Sequence, residues 1–182
     1  GAHAIKNGLA PVMIKLIEDG WFTHLATNGA GIIHDWEFAF QGHSSEDVRE
    51  NVSRGEFGVW QETGHNINLA IIAGAFRGMG YGESVGAFVE NEGIDIPSIK
   101  CLKEQIGFAL EREEFDFIAA ASDLLDAIIK RRVSPGWHTV PHPFKQYGLQ
   151  AAAYRLKVPF TSHPMIGHDI IYVHPMNQGA SI

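Results

Sequence analysis

The chain has 182 residues, 45% of them hydrophobic and 19% charged, with a formal charge of −7. This fits one folded domain and excludes a largely disordered or repetitive chain, while net acidity without a Lys/Arg stripe excludes an ordinary nucleic-acid binder. The longest apolar runs fall far short of the roughly 20 residues that cross a bilayer, no charged start leads into an apolar core, and the single cysteine, Cys101, makes no internal disulfide, so a cytoplasmic protein with no membrane partner is expected.

Apolar residues at Val12, Met13, Ile14, Leu16 and Ile17 predict a helix from Pro11 to Asp19, stopped by Gly20. Phe22 to Ala26 reads as a buried strand that runs into Thr27-Asn28-Gly29-Ala30-Gly31, after which a helical spacing resumes to Gly42. Ser44 followed by Asp47 suits a cap on a helix from Glu46 to Ser53. Asn66 to Phe76 is apolar almost all round, so it is expected to be packed on both sides, with a subunit interface and a homo-oligomer as the corollary. Ahead of it, Thr63 or His65 is a candidate cap, which leaves Glu62 free for a ligand.

A glycine-rich turn region leads into residues Glu83 to Asn91, Ile94 to Pro97 reads as a loop, and helices follow from about Ser98 to Glu111 and from Asp123 to Lys130. Phe115 to Ala121 is strand or helix, since periodicity alone does not separate them. The three prolines between Val133 and Pro143 predict a loop, and His138, His142 and Lys145 are candidates to line a cleft from it. Gln146 to Leu156 reads as a helix, Val158 to Ser162 as a strand, and Ile170 to Val173 as the start of another strand or a turn. Helices alternating with short apolar strands predict an α/β fold over residues 1–182, a parallel sheet with helices on both faces.

The sharpest local signal is the run Thr27, Asn28, Gly29, Ala30 and Gly31. Small residues between a strand and a helix let backbone N–H groups approach a ligand at the positive helix N-terminus, where a phosphate or pyrophosphate sits well. In the first turns of the next helix, His34, Asp35 and Glu37 offer groups for ribose hydroxyls or a ligand amine. A second constellation, His163, Gly167, His168, Asp169 and His174, begins where a strand ends. Ligands of open parallel sheets collect at such ends. The gaps between these histidines match no familiar zinc spacing, so hydrogen bonding to a substrate or cofactor is the better reading and no metal is expected. Cys101 reads as a small buried residue rather than a nucleophile.

Taken together, Ala26 to Asp35, Val158 to His163 and Gly167 to His174 resemble the deoxyhypusine synthase family and its bacterial homologues. In that family an extended strand leads to a glycine-aspartate pair, an apolar run and a histidine. Here these are Gly167, Asp169 and His174, with His168 inserted within the pair. The resemblance implies a Rossmann-like domain that binds NAD, usually in a homo-oligomer with sites between subunits. It further implies oxidation of a polyamine to an imine before transfer of its aminobutyl group to an amine acceptor. It puts His174 by the polyamine, and Thr27, Asn28, Gly29 and Gly167 by NAD. The family's lysine nucleophile follows a glycine-rich segment, and no lysine of this sequence does. No catalytic residue is therefore assigned, and a chain lacking a C-terminal portion and a divergent relative both stay open. Two other readings stay open beside it: a nucleotide- or sugar-phosphate-binding module without redox chemistry, and a metal-dependent hydrolase built on His163, His168, Asp169 and His174.

Overall fold

The computed structural model describes residues 1–165, 167 and 169–179. Their helices are α1 (Ala2–Lys6), α2 (Ala10–Glu18), α3 (Gly29–Gln41), α4 (Val48–Arg54), α5 (Gln61–Phe76), α6 (Tyr81–Asn91), α7 (Ile99–Glu111), α8 (Phe115–Arg131) and α9 (Leu149–Arg155). The strands are β1 (Leu25–Thr27), β2 (Gly93–Ile96), β3 (Gly136–Thr139) and β4 (Phe160–Ser162), and 3₁₀ turns cover Lys145–Tyr147 and Ile170–Val173. The fold is mixed α/β and mostly helical. β1 pairs parallel with β4, Leu25 opposite Phe160 and Thr27 opposite Ser162, while β2 pairs antiparallel with β3. Among the described residues no helix is long and apolar enough to cross a membrane.

The unit β1–α3 forms as its sequence dictates. Asn28 is extended and its side chain accepts the Gly31 N–H at 3.0 Å, which satisfies a donor that the first turn leaves free. Gly42 ends the helix in the left-handed region at φ 78°. From α3, Ile32 and Trp36 enter a core shared with Ile67, Ile71 and Ile72 of α5, Phe88 of α6 and Leu124 of α8. α5 is buried on nearly every face by its own domain, as its composition predicts.

Close approach of backbones fixes where α6 sits. A Cβ on Gly82 would lie 2.1 Å from the Phe160 carbonyl oxygen, and one on Gly86 2.6 Å from that of Gln150. Glycine at both positions therefore lets α6 lie directly against β4 and α9. The N-terminal end of α6 thus covers the edge of β4 that faces away from β1, where an exposed edge would otherwise invite another chain.

Several elements differ from the sequence reading. Of the segments expected as loops, residues 94–96 belong to β2 and residues 133–143 contain β3: Pro135 and Pro141 flank β3 instead of interrupting it, so the ladder keeps its donors. Phe115 to Ala121 is the first part of α8. α4 is capped by Asp47, whose side chain accepts the Glu50 N–H at 2.9 Å, and not by Ser44. α5 starts at Gln61 after Trp60, so Thr63 and His65 lie inside the helix. The expected helix from Gln146 to Leu156 is broken at Gly148, whose extended backbone separates the 3₁₀ turn from α9. Residues 170–173 form a 3₁₀ turn.

Candidate functional site

Parallel pairing of β1 with β4 brings together two sequence blocks that are far apart in the chain. The His163 N–H donates to the Thr27 carbonyl at 2.8 Å, continuing the ladder past β4, so both strands end at one place. The glycine loop leaves β1 there. Gly29 lies so close to Asp169 that a Cβ would stand 2.6 Å from its carboxylate. Asp169 Oδ2 accepts the Met165 N–H at 2.8 Å, and among the described residues Oδ1 accepts from nothing. A carboxylate beside the N-terminus of α3 is stabilised by the helix dipole.

Beside this junction opens a cleft of about 390 Å³, with Ala30, His34, Glu37, Phe57, Trp60 and Asp169 in its wall. Its ionised lining is acidic: Glu37, Glu46 and Asp169 against Lys6. Glu37 is the most engaged of these. Its Oε2 accepts the Ser44 hydroxyl at 2.6 Å and the Ser45 N–H at 3.4 Å, and its Oε1 accepts the Thr63 hydroxyl at 3.3 Å. Burial opposes its ionisation, but the neighbouring His34 imidazole and the hydrogen bonds from Ser44 and Ser45 outweigh that and hold the carboxyl below its ordinary value. Glu46 holds the walls in place: its carboxylate accepts the Gly58 N–H at 2.9 Å and the Trp60 indole N–H at 3.1 Å.

A smaller cavity of about 250 Å³ adjoins the cleft across Trp60 and Ile170, which line both. His174 is in its wall. The ring packs on Gly64, where a Cβ would come within 2.8 Å, its Nε2 lies 3.2 Å from Gln61 Oε1, and its Nδ1 accepts the Met176 N–H at 3.1 Å. The His65 ring stands 6.1 Å away, centroid to centroid. Burial first, then the His65 and Arg131 charges, push the His174 imidazole below its ordinary value.

The structure thus gathers Thr27, Asn28, Gly29, Ala30, Gly31, His34, Glu37, Asp169 and, next door, His174. Other candidates lie elsewhere. Asp35 points the opposite way from Glu37 into the protein, where it is 1% exposed and accepts the Leu149 and Gln150 N–H groups. Glu62 is exposed in the first turn of α5 and lines neither cavity. His163 faces a third cavity, of about 750 Å³, along β4. Gly167 is exposed, at φ 80°. His168 lies outside the described residues.

His142 and Lys145 are not in the cleft: Lys145 pairs with Glu92 at 3.0 Å, and His142 is enclosed by Trp36, Phe40 and Phe88. Cys101 is partly exposed, its sulfur accepting from Gln105. Among the described residues no three His, Cys, Asp or Glu side chains are gathered to hold a metal.

Sequence reasoning missed Ser45, Phe57 and Trp60 as cleft residues, and Ser44 as the hydroxyl that links His34 to Glu37 behind the cleft wall. It also missed the hydroxyls of Tyr81, Ser162 and Tyr172, which are enclosed and have no hydrogen-bond partner among the described residues. No family model matches the chain, and no curated protein or solved structure matches it either.

Proposed function

We propose that the chain is a deoxyhypusine synthase-like, NAD-binding protein whose acidic cleft takes a polyamine. The observation that carries this reading is the meeting of the glycine loop and Asp169 at the carboxyl ends of β1 and β4, beside a cleft walled by acids and aromatic rings. In this reading the β1–β4 pair supplies the parallel strand ends of a Rossmann-like site, and ligands gather at that end of parallel strands.

The residues fit such a cofactor. Gly29 and Gly31 present bare backbone at the start of α3, and a Cβ on Gly31 would come within 2.1 Å of Thr27 Oγ1. Thr27, Asn28, Gly29, Ala30 and Gly31 would hold NAD, with Asp169 suited to ribose hydroxyls. Bound there, NAD would supply a hydride acceptor.

The chain's own groups account for amine recognition. Asp169 and Glu37 attract an ammonium group, and Trp60 and Phe57 offer ring faces to a cation. Exposed Val48, Phe57, Val59 and Val173 stand at the two cavities or beside them, and a second copy covering them belongs to the same reading. Incubating the protein with NAD and spermidine is expected to release NADH, read by its near-ultraviolet absorbance. Absence of NADH from protein that binds both ligands would remove the redox part of the proposal.

A further inference from the structure

We propose that His34 is a proton acceptor in the cleft, fixed in a single tautomer by Ser44 and Glu37; this deepens, and rests on, the amine reading given above. His34 Nδ1 lies 2.5 Å from Ser44 Oγ, and Ser44 Oγ lies 2.6 Å from Glu37 Oε2. An ionised carboxylate only accepts, and a serine hydroxyl has one proton to give. Ser44 therefore donates to Glu37 and accepts from His34, which puts the imidazole proton on Nδ1.

Nε2 then carries a bare lone pair. Among the described residues it has no hydrogen-bond partner and it is not enclosed, and His34 stands in the cleft wall with Ala30 and Asp169. The direct separation of His34 Nδ1 from Glu37 Oε2 is 3.6 Å, close enough for the carboxylate to balance an imidazolium. The same arrangement argues against Ser44 as a nucleophile. Its proton is committed to Glu37, whereas a serine nucleophile gives its proton to the histidine.

The step is a proton transfer without redox change. The protonated secondary amine of the ligand, R–NH₂⁺–R′, loses one proton to Nε2, leaving R–NH–R′ with a free lone pair and His34 as the imidazolium. Freeing that lone pair is what oxidation of an amine to an imine requires. His34 touches the ligand; Ser44 and Glu37 are positioning residues that act through it. The remaining ionisable groups facing the cleft, Lys6, Glu46 and Asp169, are not bonded to the ring.

Nitrogen-15 spectra of histidine-labelled protein at neutral pH test the wiring without any ligand. The expected result is a His34 signal with Nδ1 protonated and Nε2 bare. Ser44→Ala is expected to return it to the Nε2–H tautomer favoured in free solution, and Ser44→Thr to keep the parent tautomer. His34→Asn is then expected to bind spermidine within about threefold of the parent while losing about a hundredfold in its oxidation rate. Spermidine binding with an Nε2–H tautomer in the parent overturns the role of His34 alone. The expected tautomer without spermidine binding overturns the amine reading, and the proton transfer with it.

Discussion

Replacing Asp35 by alanine is expected to destabilise the folded protein by about 3 kcal/mol at about pH 5, because two buried N–H groups lose their acceptor. Asp35 is 1% exposed; its Oδ1 accepts the Leu149 N–H at 2.9 Å and its Oδ2 the Gln150 N–H at 3.0 Å. These are the first donors of α9, so one α3 carboxylate holds the start of a helix more than a hundred residues later. Burial pushes the Asp35 carboxyl up to about 6, against the hydrogen bonds from Gln150 and Leu149.

The sign of the pH effect follows. The folded state holds the Asp35 proton to higher pH than the unfolded chain, so this residue's contribution is greatest below the unfolded value and falls as pH rises through about 6. The cost of Asp35→Ala should therefore shrink by about 1 kcal/mol between about pH 5 and pH 7. Urea unfolding at the two pH values measures it. An unchanged midpoint at both would mean that α9 does not depend on this carboxylate.

His142→Phe is expected to remove an acid sensitivity of about 3 kcal/mol. His142 is 1% exposed, neither ring nitrogen has a hydrogen-bond partner among the described residues, and the ring stands edge-on to Phe88 at 4.7 Å between centroids. Burial lowers the imidazole to about 4, with Lys145 acting in the same direction and Val140 and Glu92 opposing. The unfolded chain takes up this proton first. Stability from His142 is thus complete above its ordinary value near 6.5 and is lost as pH falls toward about 4.

Between about pH 4 and pH 6 the slopes of Asp35 and His142 have opposite signs and similar size, so in the parent they offset each other. Each single variant uncovers the other slope. His142→Phe should gain stability relative to the parent as pH falls across this window, and Asp35→Asn should lose it. Parallel profiles for parent and His142→Phe would show that the ring does not titrate as a buried group.

How far the sequence carries depends on the physical signal in each segment. The β1–α3 unit was readable because Gly20 and Gly42 bracket an apolar run, a glycine-rich turn and a helical spacing; the cap by Asn28 came only with the structure. Nothing local tells Asp35 from Glu37. Both are acids early in one helix, yet two positions at 100° each turn them to opposite faces, and only the location of α9 decides which is buried. Ser44 satisfied the spacing for a cap, but Asp47 took that role and released its hydroxyl to Glu37 and His34.

β2 and β3 escaped notice because each is four residues long and gains its stability from pairing across the chain. The convergence of the two blocks is likewise a consequence of β1 pairing with β4, which no local pattern encodes. Trp60, which shares the walls of both cavities, became visible only with that geometry.

The most direct test of the cleft is calorimetric titration with NAD and then with spermidine, comparing the parent with Asp169→Asn, a change that keeps the side chain's shape and removes its charge. The expected result is saturable binding of both ligands by the parent, and spermidine binding weakened about tenfold or more in the folded variant. A folded parent that takes up neither ligand would contradict it.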